Sequence, residues 1–210
     1  MSDSVNPARA VQFQWHNLAI LGVIVLALAL LWAFRPTEHH NAQLHRGVGK
    51  TLAALGFQPL TEGTPPVTAS DLAGKVVLID FWGPWRWWGS CRAQIVSVAK
   101  LYQKYGGRSD FKLCAVSCGQ GGKDNISQLR TATNDYLKKA GIDLPVYADP
   151  EETARASVDK VAGFDAFPTA VLLDREGVIR AVWTGFPPDR RERISQRMDE
   201  LIGQLLEEKK

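Results

Sequence analysis

The sequence predicts an α/β three-layer sandwich with a mixed sheet, preceded by one N-terminal transmembrane helix. Three observations point there. From Val76 onward, short apolar runs of strand character alternate with longer runs of helical period. Two late apolar runs, residues 169–173 and 178–183, flank Asp174-Arg-Glu-Gly177, a hairpin signature with glycine at the tight position. The chain also opens with an apolar stretch long enough to cross a bilayer. Alternation makes neighbouring strands parallel with helices on both faces, and the hairpin adds antiparallel pairing at the end.

The first element is the anchor. No Asp, Glu, Lys or Arg stands between Arg9 and Arg35, and residues 18–34 are almost wholly apolar. Counted from Trp15, the run 15–34 is about 20 residues, or roughly 30 Å as a helix. Trp15 and Trp32 sit near its ends, where interfacial aromatics belong. A cleaved signal peptide is the competing reading. Its apolar region would be unusually long, and Leu31-Trp-Ala-Phe-Arg35 is a poor cleavage site. Arg9 on one side faces Arg35, Arg46 and Lys50 on the other, so charge alone does not orient the span. The expected organisation is a tail at 1–14, an anchor at 15–34, a linker at 35–57 and a globular domain at 58–208.

Within the linker, His39, His40 and His45 have no carboxylate or cysteine to complete a ligand set, so they read as solvated side chains. Gly63-Thr-Pro-Pro66 marks a turn, and residues 69–75 a short helical turn ended by Gly74. Residues 76–81 form an unbroken apolar run apart from Asp80, suited to a strand covered on both faces. Ile95, Val98, Ala99, Tyr102 and Tyr105 recur at helical spacing until Gly106-Gly107 stops them. Residues 111–117 read as a second strand, 124–140 as a helix, 144–148 as a short strand and 151–159 as a helix. After the hairpin, residues 189–208 place Ile194, Met198, Leu201, Ile202, Leu205 and Leu206 on one stripe, with Arg190, Arg191, Arg193 and Arg197 towards solvent.

A net charge of +3 spread over scattered basic residues does not suit nucleic acid. Three cysteines cannot make a disulfide framework, and Cys114 and Cys118 lack a second Cys or His pair for zinc. No metal or cofactor is expected.

The chemistry concentrates in Phe81-Trp-Gly-Pro-Trp-Arg-Trp-Trp-Gly-Ser-Cys91. A buried strand ends in aromatics, a tight turn follows, and a cysteine stands at a helix start. From about Gln58 to Leu206 the chain resembles the membrane-tethered thioredoxin-like family called TlpA/ResA-like, which overlaps with redoxin domains. Four blocks carry the likeness: Asp71 to Trp82, Cys91-Arg-Ala, Val116-Ser-Cys118 with the helix after it, and Gly163-Phe-Asp-Ala-Phe-Pro-Thr169 with its hairpin. The resemblance implies a thioredoxin-like sandwich, thiol–disulfide chemistry and an extracytoplasmic domain, where disulfides persist. It also implies a cis bond before Pro168, leaving the backbone of Phe167 to pair with an extended peptide. An ordinary trans proline is the alternative.

Departures gather at the centre. Counting back from Cys91, the position of the family's attacking cysteine holds Trp88. Counting forward from Trp82, it holds Arg86. Trp85, Trp87 and Trp88 fill the loop instead, either as contacts for a peptide or as packing around the missing sulfur. The family's acidic residue three positions beyond the second cysteine is Gln94 here, and its helix-kinking proline is Val96. Exchange needs an accessible thiolate. By resemblance Cys91 holds the resolving role, the more buried of the two. Cys118 is either a relocated partner for Cys91, if their Cα atoms come within about 7 Å, or a small residue at a strand end. Cys114 is core. A peroxidase reading finds Pro84 and Arg92 but no threonine at the required spacing.

Two functions are therefore expected. One is an anchored thiol–disulfide oxidoreductase with weak or altered turnover, acting on extracytoplasmic protein thiols or peptide segments. The other is a thioredoxin-fold module that binds such a protein without turnover.

Overall fold

The computed structural model describes residues 20, 45–53, 55–85, 89–119 and 125–208. Among them, no helix is long and apolar enough to cross a membrane. The expected anchor, 15–34, lies outside the described residues apart from Ile20, as do Arg86, Trp87 and Trp88.

The described elements follow the alternation. They are β1 (Gln58–Pro59), α1 (Ala69–Leu72), β2 (Val76–Trp82), α2 (Ser90–Tyr105), β3 (Phe111–Ser117), α3 (Ile126–Ala140), β4 (Val146–Ala148), α4 (Thr153–Ala162), β5 (Thr169–Leu173), β6 (Ile179–Thr184) and α5 (Arg191–Glu207). One six-stranded sheet runs in the order β1-β4-β3-β2-β5-β6. β2, β3 and β4 are mutually parallel, whereas β5 lies antiparallel to β2, β6 to β5 and β1 to β4.

All seven residues of β2 are buried, because helices cover both faces of the strand. Its side chains alternate between two cores. Val76, Leu78 and Trp82 join Ile95 and Val98 of α2, Tyr136 of α3, and Met198 and Ile202 of α5. Val77, Ile79 and Phe81 join Leu72 of α1 and Ala154, Val158 and Ala162 of α4. These are the three layers.

The register places the site. Trp82 pairs with Ser117, so β2 and β3 end flush. Phe81 pairs with Thr169, which brings the segment preceding β5 beside the end of β2.

Several boundaries differ from expectation for local reasons. β4 begins at Val146 rather than at residue 144, and the intervening Pro145 has no N–H for a ladder. α4 begins at Thr153 because Glu152 is left-handed (φ 59°) and the Asp149 carboxylate caps the helix, accepting from Arg155 N at 2.8 Å. The last helix is preceded by a 3₁₀ turn, Pro188–Arg190. Arg191, expected towards solvent, is half-buried and donates to Phe186 O at 3.3 Å. Packing also extends upstream of Gln58: Phe57 is buried, Arg46 Nε donates to Ala162 O at 2.8 Å, and Thr51 bridges Val178.

Candidate active site

The site forms where β2 ends, α2 begins and the segment before β5 returns. Gly89 caps α2 with φ 97° and ψ −101°, a conformation that side chains strongly disfavour. It turns the chain so that Cys91 becomes the second residue of the helix. Gly89→Ala is expected to destabilise the domain by about 1–3 kcal/mol, the scale of one strained residue. Urea unfolding of the variant beside the parent measures it.

Cys91 is 2% exposed. The helix N-terminus favours its thiolate, while burial favours the thiol. It acts electrostatically on Tyr136, within the core on the α2 side of the sheet. Cys118 follows the last residue of β3, and its N–H donates to Trp82 O at 2.8 Å. Its side chain packs with Cys114 and Val116 in the other core, beneath α4, with Sγ 3.7 Å from Val116 O. Ser117 is the β3 residue that turns to α3, and its hydroxyl is 2.8 Å from that of Thr133. All three cysteines are buried thiols, so the structure does not join Cys91 to Cys118. Burial pushes the Cys114 thiol up to about 12, as befits an inert core position.

The Phe167–Pro168 bond is cis. Phe167 is half-buried and extends an aromatic series. Its ring lies 5.9 Å from Trp85 and 5.1 Å from Phe164, which in turn lies 5.5 Å from Phe81. Trp85 folds back over Gly83, where a Cβ would come within 2.8 Å of the indole. Its Nε1 donates to Cys118 O at 2.8 Å. Beside this series lies a cleft of about 400 Å³, lined by Gly119, Arg155, Asp159, Phe164 and Phe167 among others. The structure therefore brings together Cys91, Trp85, Phe167 and Pro168 at one end of the sheet. Trp87 and Trp88, also expected at the site, lie outside the described residues.

The residue that sequence reasoning missed is Asp80. It is 0% exposed and points to the α2 side, in phase with Leu78 and Trp82. Gln94, one helical turn beyond Cys91, is also 0% exposed and donates from Nε2 to Asp80 Oδ1 at 2.5 Å. Burial raises the Asp80 carboxyl to about 7, against the opposing pull of the Gln94 donor. An acid is thus present at this depth, supplied by the strand instead of the helix. The signal was a single carboxylate in an otherwise apolar buried strand, which demands a partner.

The sequence matches the Redoxin family over residues 48–197. It is 26% identical over 119 residues to the thiol-disulfide oxidoreductase ResA of Bacillus subtilis (strain 168), a match covering 57% of this chain and 58% of that protein. The match therefore spans less than two thirds of that relative. ResA of Geobacillus kaustophilus (strain HTA426) is 23% identical over 116 residues, 55% of this chain and 58% of the relative. Among solved structures, a thiol:disulfide interchange protein of the thioredoxin family from Chlorobium tepidum TLS superposes with TM-score 0.56 at 19% identity. That match covers 74% of this chain and 95% of the other. A thiol-disulfide isomerase from Corynebacterium glutamicum gives TM-score 0.54 at 22% identity, over 75% and 97%. At these identities the structural likeness shows the fold: thioredoxin-like α/β with a mixed sheet.

Proposed function

Since this chain belongs to the Redoxin family, we propose that it is a membrane-anchored thioredoxin-fold protein of the thiol–disulfide oxidoreductase class with a one-cysteine motif and weak or altered turnover. The observation that carries this reading is Cys91 itself. It stands at the start of α2, at the sheet end shared with Phe167 and Pro168, yet it is 2% exposed. No other cysteine occurs in the sequence between Trp82 and Cys91. In a two-cysteine site a sulfur in that position attacks, as the thiolate, the mixed disulfide between the first cysteine and the substrate, forming the internal disulfide and releasing the substrate thiol. The burial of Cys91 disfavours the opening attack, which needs an accessible thiolate.

The aromatic series of Trp85, Phe164 and Phe167 supports a partner that is a protein or peptide segment carrying a thiol. The apolar run 15–34 supports an anchor, with the domain on the extracytoplasmic side, where such chemistry operates.

The test compares the full chain with Cys91→Ser in insulin reduction and in trapping of a mixed disulfide with an activated aromatic disulfide. A slow reaction that falls to background in the serine variant is the expected result. Residual activity that survives Cys91→Ser unchanged excludes Cys91 from catalysis and leaves a binding module as the better description. Trp88→Cys, with Asp80 and Gln94 untouched, is the converse: regained insulin reduction would show a scaffold lacking only its attacking sulfur.

A further inference from the structure

α2 carries a cation at Arg92, Lys100 and Lys104 and no acid anywhere along its 16 residues. Arg92, Val96, Lys100 and Lys104 follow one another at every fourth position, so they form one row on the helix. All four are exposed. Among the described residues from 45 onward, Val96 is the one exposed large apolar side chain.

Beside this row α2 meets α5 along a cleft of about 460 Å³. Ala93, Leu101 and Phe186 give it an apolar lining. Ser195 Oγ donates to Ser97 Oγ at 3.1 Å between the two helices. Arg191 stands at one end. Its Nε donates to Phe186 O at 3.3 Å, and its terminal nitrogens bond to nothing else among the described residues. Nη2 lies 3.9 Å from where a Cβ on Gly89 would stand, so this end adjoins the cap of α2, two positions before Cys91.

The charges along the cleft are unbalanced. Arg92, Lys100 and Arg191 enter no ion pair among the described residues. Two carboxylates line the described cleft, Asp199 and Glu192. Asp199 is already engaged, 2.7 Å from Lys104 Nζ and 2.7 Å from the Tyr105 hydroxyl. Glu192 is exposed, with Gln196 Nε2 at 3.5 Å.

We propose that the cleft between α2 and α5 is a docking site for an acidic segment of a partner protein. Its carboxylates meet Arg92, Lys100 and Arg191, and an apolar side chain of the segment covers Val96. Charge complementarity of this kind steers encounter and fixes register. A flat anionic membrane would touch the exposed row and leave the concave cleft empty, and one valine offers little apolar surface to insert. The site holds whether or not Cys91 turns over, so its failure and that of the redox reading are separate results.

The experiment is fluorescence anisotropy of a labelled peptide of glutamate, leucine and glycine, free of cysteine, with the full chain in non-ionic micelles. The same peptide with glutamine for glutamate is the control. The acidic peptide is expected to bind about tenfold more tightly, a difference that shrinks as salt is raised. Lys100→Gln and Arg191→Gln are each expected to weaken it by about two- to fivefold, the scale of one exposed ion pair. Lys160→Gln, which removes an exposed cation from α4 on the other face of the sheet, is expected to change nothing. Equal affinity for the two peptides overturns the proposal, as does an equal loss in Lys160→Gln. So does an affinity that neither Lys100→Gln nor Arg191→Gln lowers. Absence of peptide binding overturns it too. Lys100-dependent binding of phosphatidylglycerol added to the micelles would then make this face a membrane contact, and Lys100-dependent dimerisation a contact between copies. Should Arg191→Gln not fold, the exposed Lys100 decides alone.

Discussion

Replacing Asp80 by asparagine is expected to stabilise the domain by about 4 kcal/mol at pH 8, yet to change little below pH 4. The argument is one of proton linkage. The carboxyl goes from an ordinary 3.8 when unfolded to about 7 in the buried site. A group whose folded value is raised lends the fold its full stability below the unfolded value. That stability is lost as pH climbs towards the folded one. Each pH unit in that window is worth about 1.4 kcal/mol, hence about 4 kcal/mol between pH 4 and 7. Asparagine copies the protonated acid at every pH and should flatten the curve. Urea unfolding of both proteins at pH 4, 6 and 8 measures the effect; parallel curves would mean that Asp80 does not titrate in this window.

Gln94→Glu should act in the opposite direction, costing about 3–5 kcal/mol at pH 8, the scale of an uncompensated buried charge. The substitution would place a second carboxyl where an amide now meets Asp80 at 2.5 Å. Two carboxyls in contact hold at most one charge between them, so one is driven upward and must stay protonated at a cost that grows with pH. At pH 4 to 5, where both are neutral, the variant should approach the parent. Asp80→Asn added to Gln94→Glu restores one acid facing one amide and is expected to recover most of the loss. A double-mutant cycle at pH 8 tests the coupling, and strictly additive effects would show that the two side chains do not interact.

This outcome bears on the motif. In the family that the chain resembles, the acid is expected on the helix, and Gln94 reads from sequence as a lost proton carrier. The structure finds a carboxyl at the same depth on β2. Installing glutamate at position 94 is therefore a perturbation and not a repair, whereas cysteine at position 88 leaves the acid–amide pair intact.

Much of the fold was legible because its signals are local and periodic. The unbroken apolar run of β2, the helical stripe of α2 and the Asp174–Gly177 turn fix their elements within a residue or two. In the observed turn, Asp174 Oδ1 accepts from Glu176 N and Val178 N, and Gly177 has φ 75°. The location of the site was legible for the same reason, since a helix-start cysteine and a Phe-Pro-Thr segment are read in sequence. Partner choice was not. Asp80 and Gln94 are 14 positions apart and meet only because α2 lies over β2. Cys118 invited comparison with Cys91 because it ends the strand beside the one that leads to Cys91. Its parity with Cys114 and Val116 sends it to the opposite core, and that parity was available before any coordinates. The packing of residues 45–57 was invisible because it rests on isolated contacts with distant segments, with no periodicity of its own.

The two rims of the sheet limit how another polypeptide could join it. One is β1, two residues long and ending in Pro59, which has no amide hydrogen to offer an incoming strand. At the other, the backbone of residues 49 and 50 already bonds both polar groups of Ile179, accepting from its nitrogen and donating to its oxygen. Lateral strand addition thus meets an obstacle at either border. An approach along the strand axis, onto the tips where Trp85 and Phe167 sit, meets neither.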